Sequence, residues 1–284
     1  MGTAFVLSLA LSAVVGFALG VFGGGGSILA VPILVYVTGI APSAAVGMSL
    51  AIVGATSLTA SYAHHRKGRV RPRVALLFGG SGIATAFLAA RLTHRVSGAV
   101  LMISFATLML VVGIAMFASA RSVNDERDEV PRRHPNLIPA FLAGAGVGAI
   151  TGFLGVGGGF LVVPALIAFT GLGMRDAIGT SLLVIAINSA AGFLGHLHAD
   201  ELNLGLVVPF TLAAVIGGAI GERVARSLSL ARLRSGFALF VILVGIAVAA
   251  LAITGTHPSR EPRSSLVPRG YVGPSAGHPT AGTP

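Results

Sequence analysis

Displacing the chain along itself by 132 residues lays one glycine-rich stretch on another. GVFGGGGSILAVPILVYVTGI, beginning at Gly20, falls on GFLGVGGGFLVVPALIAFTGL, beginning at Gly152. From Gly16 to His64, 17 of 49 aligned positions are identical without a gap. The pairs include Gly23/Gly155, Gly25/Gly157, Gly26/Gly158, Pro32/Pro164, Gly47/Gly179, Ser49/Ser181, Ser57/Ser189 and His64/His196. The register persists at Arg91/Arg223 and at Gly113–Ala115 against Gly245–Ala247. Shared composition explains some glycine and leucine matches. It does not explain an ungapped alignment that also pairs proline, serine, histidine and arginine, so the chain is two homologous halves.

Each half is apolar enough to live in a bilayer. Hydrophobic residues make up 54% of the chain and charged residues 10%, against about 25% charged in a soluble domain. Runs such as Val96 to Phe117 and Leu204 to Gly221 match the roughly 20 residues that cross a membrane. We expect an all-α polytopic protein of the cell (inner) membrane with five helical segments per half. In the first half they cover 3–22, 27–40, 43–64, 73–92 and 97–119. In the second they cover 138–154, 159–171, 175–197, 205–224 and 232–254. The second segment of each half is too short to span alone. The first two segments of each half therefore read as a short or broken hairpin around the glycines, with two plain spanning helices as the alternative. The repeats occupy 1–120 and 138–254, joined by a charged linker over 121–137. The N-terminal MGTAFVLSLALS has no basic region before its apolar run and leads into the first helix. The tail over 255–284 is rich in proline, glycine and serine and is expected to be disordered. Its LVPRG resembles a thrombin cleavage sequence.

Charge orients the halves. The loop HHRKGRVRPR, His64 to Arg73, holds five Lys/Arg, whereas its counterpart HLHADELN, His196 to Asn203, holds none. The next pair reverses the bias: RLTHR has two arginines and RVARSLSLARLR has four. Equivalent loops with opposite bias imply opposite sidedness under the positive-inside rule. With Arg175 and the linker also inside, 14 of 19 Lys/Arg lie in the cytoplasm. The halves then form inverted-topology repeats, as in many secondary transporters. The net charge of +10 is thus spent on topology and does not point to nucleic acid.

The glycine stretches are candidate ligand sites. Irregular backbone at membrane depth must be buried in protein or line a wet cavity. Glycine permits positive φ and close approach, and each turn opens a helix whose N–H groups and dipole favour an anion. Close helix packing by small residues is the competing explanation. The candidates are Gly23, Gly24, Gly25, Gly26 and Ser27 with Gly157, Gly158 and Gly159. Ser49, Thr56, Ser57 and His64 fall within about 100° of one helical face, and Ser181, Asn188, Ser189 and His196 repeat the pattern. Interhelical hydrogen bonding is the alternative use of these hydroxyls. His64 and His196 are candidate proton carriers, with an interfacial position as the ordinary reading. Arg91 and Arg223 are candidates for an anion path, with snorkelling as the alternative.

Enzyme and cofactor signatures are missing. The chain has no cysteine and no metal-ligand spacing. GVFGGGGS does not continue to the Gly-Lys-Ser/Thr of a phosphate-binding loop. No cofactor is expected.

GFALGVFGGGGSILAVPIL and GAITGFLGVGGGFLVVPAL, followed by AVGMSL and AIGTSL, resemble the TauE/SafE family of sulfite exporters over about residues 3–254. The resemblance implies a permease for small sulfur-containing anions such as sulfite, thiosulfate or sulfoacetate. Met48 stands where the second half has Thr180, which makes the two halves of the site unequal. A passive anion channel and a non-transporting membrane scaffold remain alternatives, and direction, coupling ion and oligomeric state are left open.

Overall fold

The structure, a computed structural model, describes residues 2–36, 42–93, 98–121, 137–154, 159–195 and 204–254. Among these residues all regular structure is helical. The first half contributes α1 (Gly2–Phe22), α2 (Ser27–Tyr36), α3 (Pro42–His65), α4 (Pro72–Thr93) and α5 (Gly98–Arg121). The second contributes α6 (Leu137–Leu154), α7 (Gly159–Thr170), α8 (Met174–Gly195), α9 (Leu204–Ser227) and α10 (Leu230–Thr254). Five segments, within α3, α4, α8, α9 and α10, are long and apolar enough to cross a bilayer. At 10 and 12 residues, α2 and α7 rise only about 15 and 18 Å. Neither spans the roughly 30 Å core, as the hairpin reading requires.

Helices α3 and α8 pack together at the centre. Their inner faces are closed: Met48, Ile52, Thr56 and Ser57 are buried on α3, and Ala177, Ile178, Thr180, Ser181 and Leu182 on α8. Outward faces of α4, α5, α6 and α10 present large apolar side chains such as Phe87, Ile114, Ile138 and Leu243. A soluble protein would hide such surface; a lipid-facing one exposes it.

The pairing of helices follows the repeat. α1 packs on α9 and α4 packs on α6, while α3·α8, α5·α10 and α2·α7 are also in contact. Adding five to each helix number turns α1·α9 into α6·α4 and returns the other three pairs to themselves. The correspondence holds residue by residue. A Cβ at Gly16 would collide with the Ala214 carbonyl, and one at Gly148 with the Gly82 carbonyl; 16 + 132 = 148 and 82 + 132 = 214. Likewise Gly113 lies against Ile242, and Gly245 against Leu110. The small residues here let helix backbones touch. The halves thus pair as a two-fold exchange would place them.

Candidate functional site

The glycine stretch of the first half forms a turn walled in on every side. α1 ends because Gly23 adopts φ +73°, a left-handed conformation that glycine takes freely. Its N–H donates to the Leu19 carbonyl at 2.8 Å, closing the last turn. A Cβ at Gly23 would lie 2.9 Å from both Ile178 Cα and Ser181 Oγ. One at Gly25 would lie 2.9 Å from Phe240 Cε1, and one at Gly26 would collide with the Val15 carbonyl. Phe22 stacks on Phe240 with centroids 5.6 Å apart and meets Phe237 edge-on at 5.8 Å. These rings shield the turn.

The turn is where the two short helices meet. A Cβ at Gly24 would collide with the Gly159 carbonyl, and one at Gly159 would lie 2.5 Å from Ser27 Oγ. The first residues of α2 and α7 are therefore adjacent. The Ser27 hydroxyl donates to the Gly24 carbonyl at 2.8 Å. The Ser181 hydroxyl donates to the Gly23 carbonyl at 2.8 Å, fastening the turn to α8. The N–H groups of Gly24, Gly25 and Gly26 meet no acceptor among the described residues, although all three glycines are buried. Buried N–H groups are nearly always paired, and three in succession at a helix start are donors of the kind that attract an anion.

The remaining candidates divide. Ser49 and Thr56 are buried, but their hydroxyls donate to Val46 and Ile52 of their own helix. Ser57 Oγ and Asn188 Oδ1 are buried and unpartnered among the described residues. Asn188 Oδ1 faces Gly79 of α4. Asn188 follows Ser181 by seven residues, the same face of α8 but about 10 Å further on. Ser189 lies beside Gly54 and lines a largely apolar crevice of about 460 Å³ between α3 and α8. Gly157, Gly158 and His196 lie outside the described residues, as does the Arg91 side chain. Arg223 is exposed on α9.

A charged mouth adjoins the turn. Gly20, His64, Arg69, Arg175, Ile178, Glu222, Arg226 and Leu233 enclose it. Glu222 is 7% exposed. Its Oε1 accepts from Lys67 Nζ, lies 3.2 Å from Arg226 Nη2 and 3.8 Å from His64 Nε2. The loop carrying Lys67 is pinned across α8: Arg71 pairs with Asp176 at 2.9 Å, and its N–H donates to Thr180 Oγ1 at 3.1 Å. Glu222, Lys67 and Arg226 are not among the candidates that sequence singles out. The signal was the charge density of the 64–73 and 223–234 loops.

The fold and these sites define a multi-pass helical membrane protein. The family model described as "Sulfite exporter TauE/SafE" matches residues 8–248, and the chain belongs to that family, one of membrane transporters. It is 35% identical over 252 residues to a "Probable membrane transporter protein" of Xylella fastidiosa, covering 86% of this chain and 94% of the relative. It is 24% identical to "Probable membrane transporter protein YdhB" of Bacillus subtilis, covering 81% and 94%. It is 28% identical to a probable membrane transporter protein of Methanocaldococcus jannaschii, covering 75% and 83%. No solved structure matches the chain.

Proposed function

We propose that the chain is a secondary transporter of small sulfur-containing oxyanions, of the sulfite, thiosulfate and sulfoacetate class, working by alternating access between inverted halves. The observation that carries this reading is the turn at Gly24–Gly26. Three N–H groups of buried glycines, unpaired among the described residues, open α2 and abut the first residue of α7. Backbone dipoles attract an oxyanion there without the grip of a full charge, so the anion can also leave. The two-fold pairing of helices supports a transporter built from two repeats. The family's description supports the substrate class.

In this reading Ser27, Gly159 and Ser181 frame the anion, while Ser57, Asn188 and Ser189 lie along its route. Lys67, Arg69, Arg175 and Arg226 gather at one end of the bundle, which the positive-inside rule makes cytoplasmic. His64, buried against Glu222, carries the coupled proton in this reading.

The test is flux into proteoliposomes holding the full chain, offered sulfite, thiosulfate, sulfoacetate, sulfate and chloride. We expect saturable uptake of the sulfur oxyanions. Gly24→Val, which drives a side chain into the Gly159 carbonyl, should lower it by about a hundredfold. Asn188→Ala should raise KM by about threefold, a lost hydrogen bond. A non-saturating current would make the protein a channel, and no flux of any anion would overturn both.

A further inference from the structure

We propose that Glu222 is a built-in counter-anion that closes the mouth, and that a transported anion enters by displacing its carboxylate from Lys67 and Arg226. This rests on the reading of the glycine turn as the anion site. Four cationic side chains converge on the mouth: Lys67 and Arg69 from the loop after α3, Arg175 from α8 and Arg226 from α9. One carboxylate faces them, together with the imidazole of His64. The helices α1 and α10 add only Gly20 and Leu233. With Glu222 in place, about 10 Å³ remains, room for a single water and no oxyanion.

Several features mark the carboxylate as a stand-in for a ligand. A single oxygen, Oε1, receives Lys67 and Arg226, with His64 Nε2 3.8 Å away, so the two cations converge on one point. Among the described residues both His64 nitrogens are without a hydrogen-bond partner, although the residue is 4% exposed. A buried imidazole of that kind is a donor awaiting an acceptor. The mouth also leads to the turn. Gly20 lies one helical turn before Gly23, about 5 Å, and Ile178 borders both the mouth and Gly23.

An internal competitor raises the apparent KM of the anion it excludes. The chain has no cysteine, so Glu222→Cys introduces a single thiol whose charge can be set chemically. The probe is thiosulfate, with KM measured in proteoliposomes. Glu222→Gln and Glu222→Cys should each lower KM by about tenfold. Attaching a sulfonatoethyl group to the thiol should return KM to within about twofold of the unsubstituted chain, and attaching a neutral methyl group should leave it low. If Glu222→Gln does not purify as a monodisperse protein, Glu222→Asp carries the test, with its carboxylate drawn back and KM lowered about threefold. A KM unchanged or raised in these variants overturns the proposal. So does an equal effect of the charged and neutral groups, or a thiol that never reacts, because an opening mouth must expose position 222. If the unsubstituted chain itself moves no anion, it is the reading of the turn that fails.

Discussion

The two halves share a scaffold but not its charges. The glycine contact that lets α1 approach α9, Gly16 on Ala214, has a partner where α6 approaches α4, Gly148 on Gly82. The charges of the mouth are not repeated in the sequence. Counting 132 positions from Glu222, Lys67 and Arg69 gives Ala90, Ala199 and Glu201; 222 − 132 = 90, 67 + 132 = 199 and 69 + 132 = 201. Thr180, which anchors the loop after α3, corresponds to Met48. Packing was duplicated as a unit because each helix face must match another. Charge was free to diverge, because a lipid-bounded bundle needs cations mainly on one side. Under the proposed alternating access, the end holding Glu222 is closed by an ion-pair cluster whose carboxylate and cations are not repeated at the equivalent positions of the other half.

The sharpest way to break this contrast is at the shared scaffold. Gly16→Leu and Gly148→Leu each push a side chain into a helix carbonyl, of Ala214 and of Gly82 respectively. If the halves are structurally equivalent, both should lose about 3 kcal/mol, read as matched drops in thermal unfolding temperature in detergent. A loss at one position only would show that the pairing symmetry does not extend to energetics.

Much of this scaffold is readable from sequence. The helix starts at Ser27 and Gly159 fall where the expected segments begin, because glycine runs end helices by a local mechanism. The inward face of α3 is equally local, since Ser49, Thr56, Ser57 and His64 recur at helical spacing and all four are buried. The fate of each hydroxyl was not readable. Ser49 and Thr56 turn back to their own helix, whereas Ser181 reaches across to Gly23, and both uses suit the same spacing. The Glu222 cluster was hidden for another reason. Glu222 and Arg223 are neighbours at a helix end, about 100° apart around it; one turns inward and the other outward. The inward one, Glu222, pairs with Lys67, 155 residues away, and no local period encodes that pairing.

The charged half of the contrast is tested by two lysine and arginine deletions. Lys67→Ala strips Glu222 of one of its two close cationic partners while Arg226 remains. Leaving a buried carboxylate under-compensated is strongly unfavourable, and we expect a loss of about 2 kcal/mol. Arg71→Ala removes the more exposed pair with Asp176, whose side chains are 35% and 27% exposed. Solvent screens such a pair, so its removal should cost about 0.5 kcal/mol. High salt should shrink the Arg71 effect further and leave the Lys67 effect largely intact. Equal losses would mean that Glu222 is better solvated than its burial indicates.

The smallest effect separates two serines that the repeat makes equivalent. Ser181 and Ser49 each donate to the carbonyl three residues earlier, Ile178 and Val46. Ser181 alone is also seen to donate to the Gly23 carbonyl, tying α8 to the turn. Ser181→Ala should therefore lose about 1 kcal/mol, one buried hydrogen bond left unmade. It should also raise the KM for thiosulfate, because the turn loses its brace. Ser49→Ala gives up only a bond that competes with its own helix, so its stability and KM should stay within measurement error. If Ser49→Ala matches Ser181→Ala on both readouts, the bond from Ser181 to the Gly23 carbonyl contributes nothing of its own, and the two serines are equivalent in energy as well as in sequence.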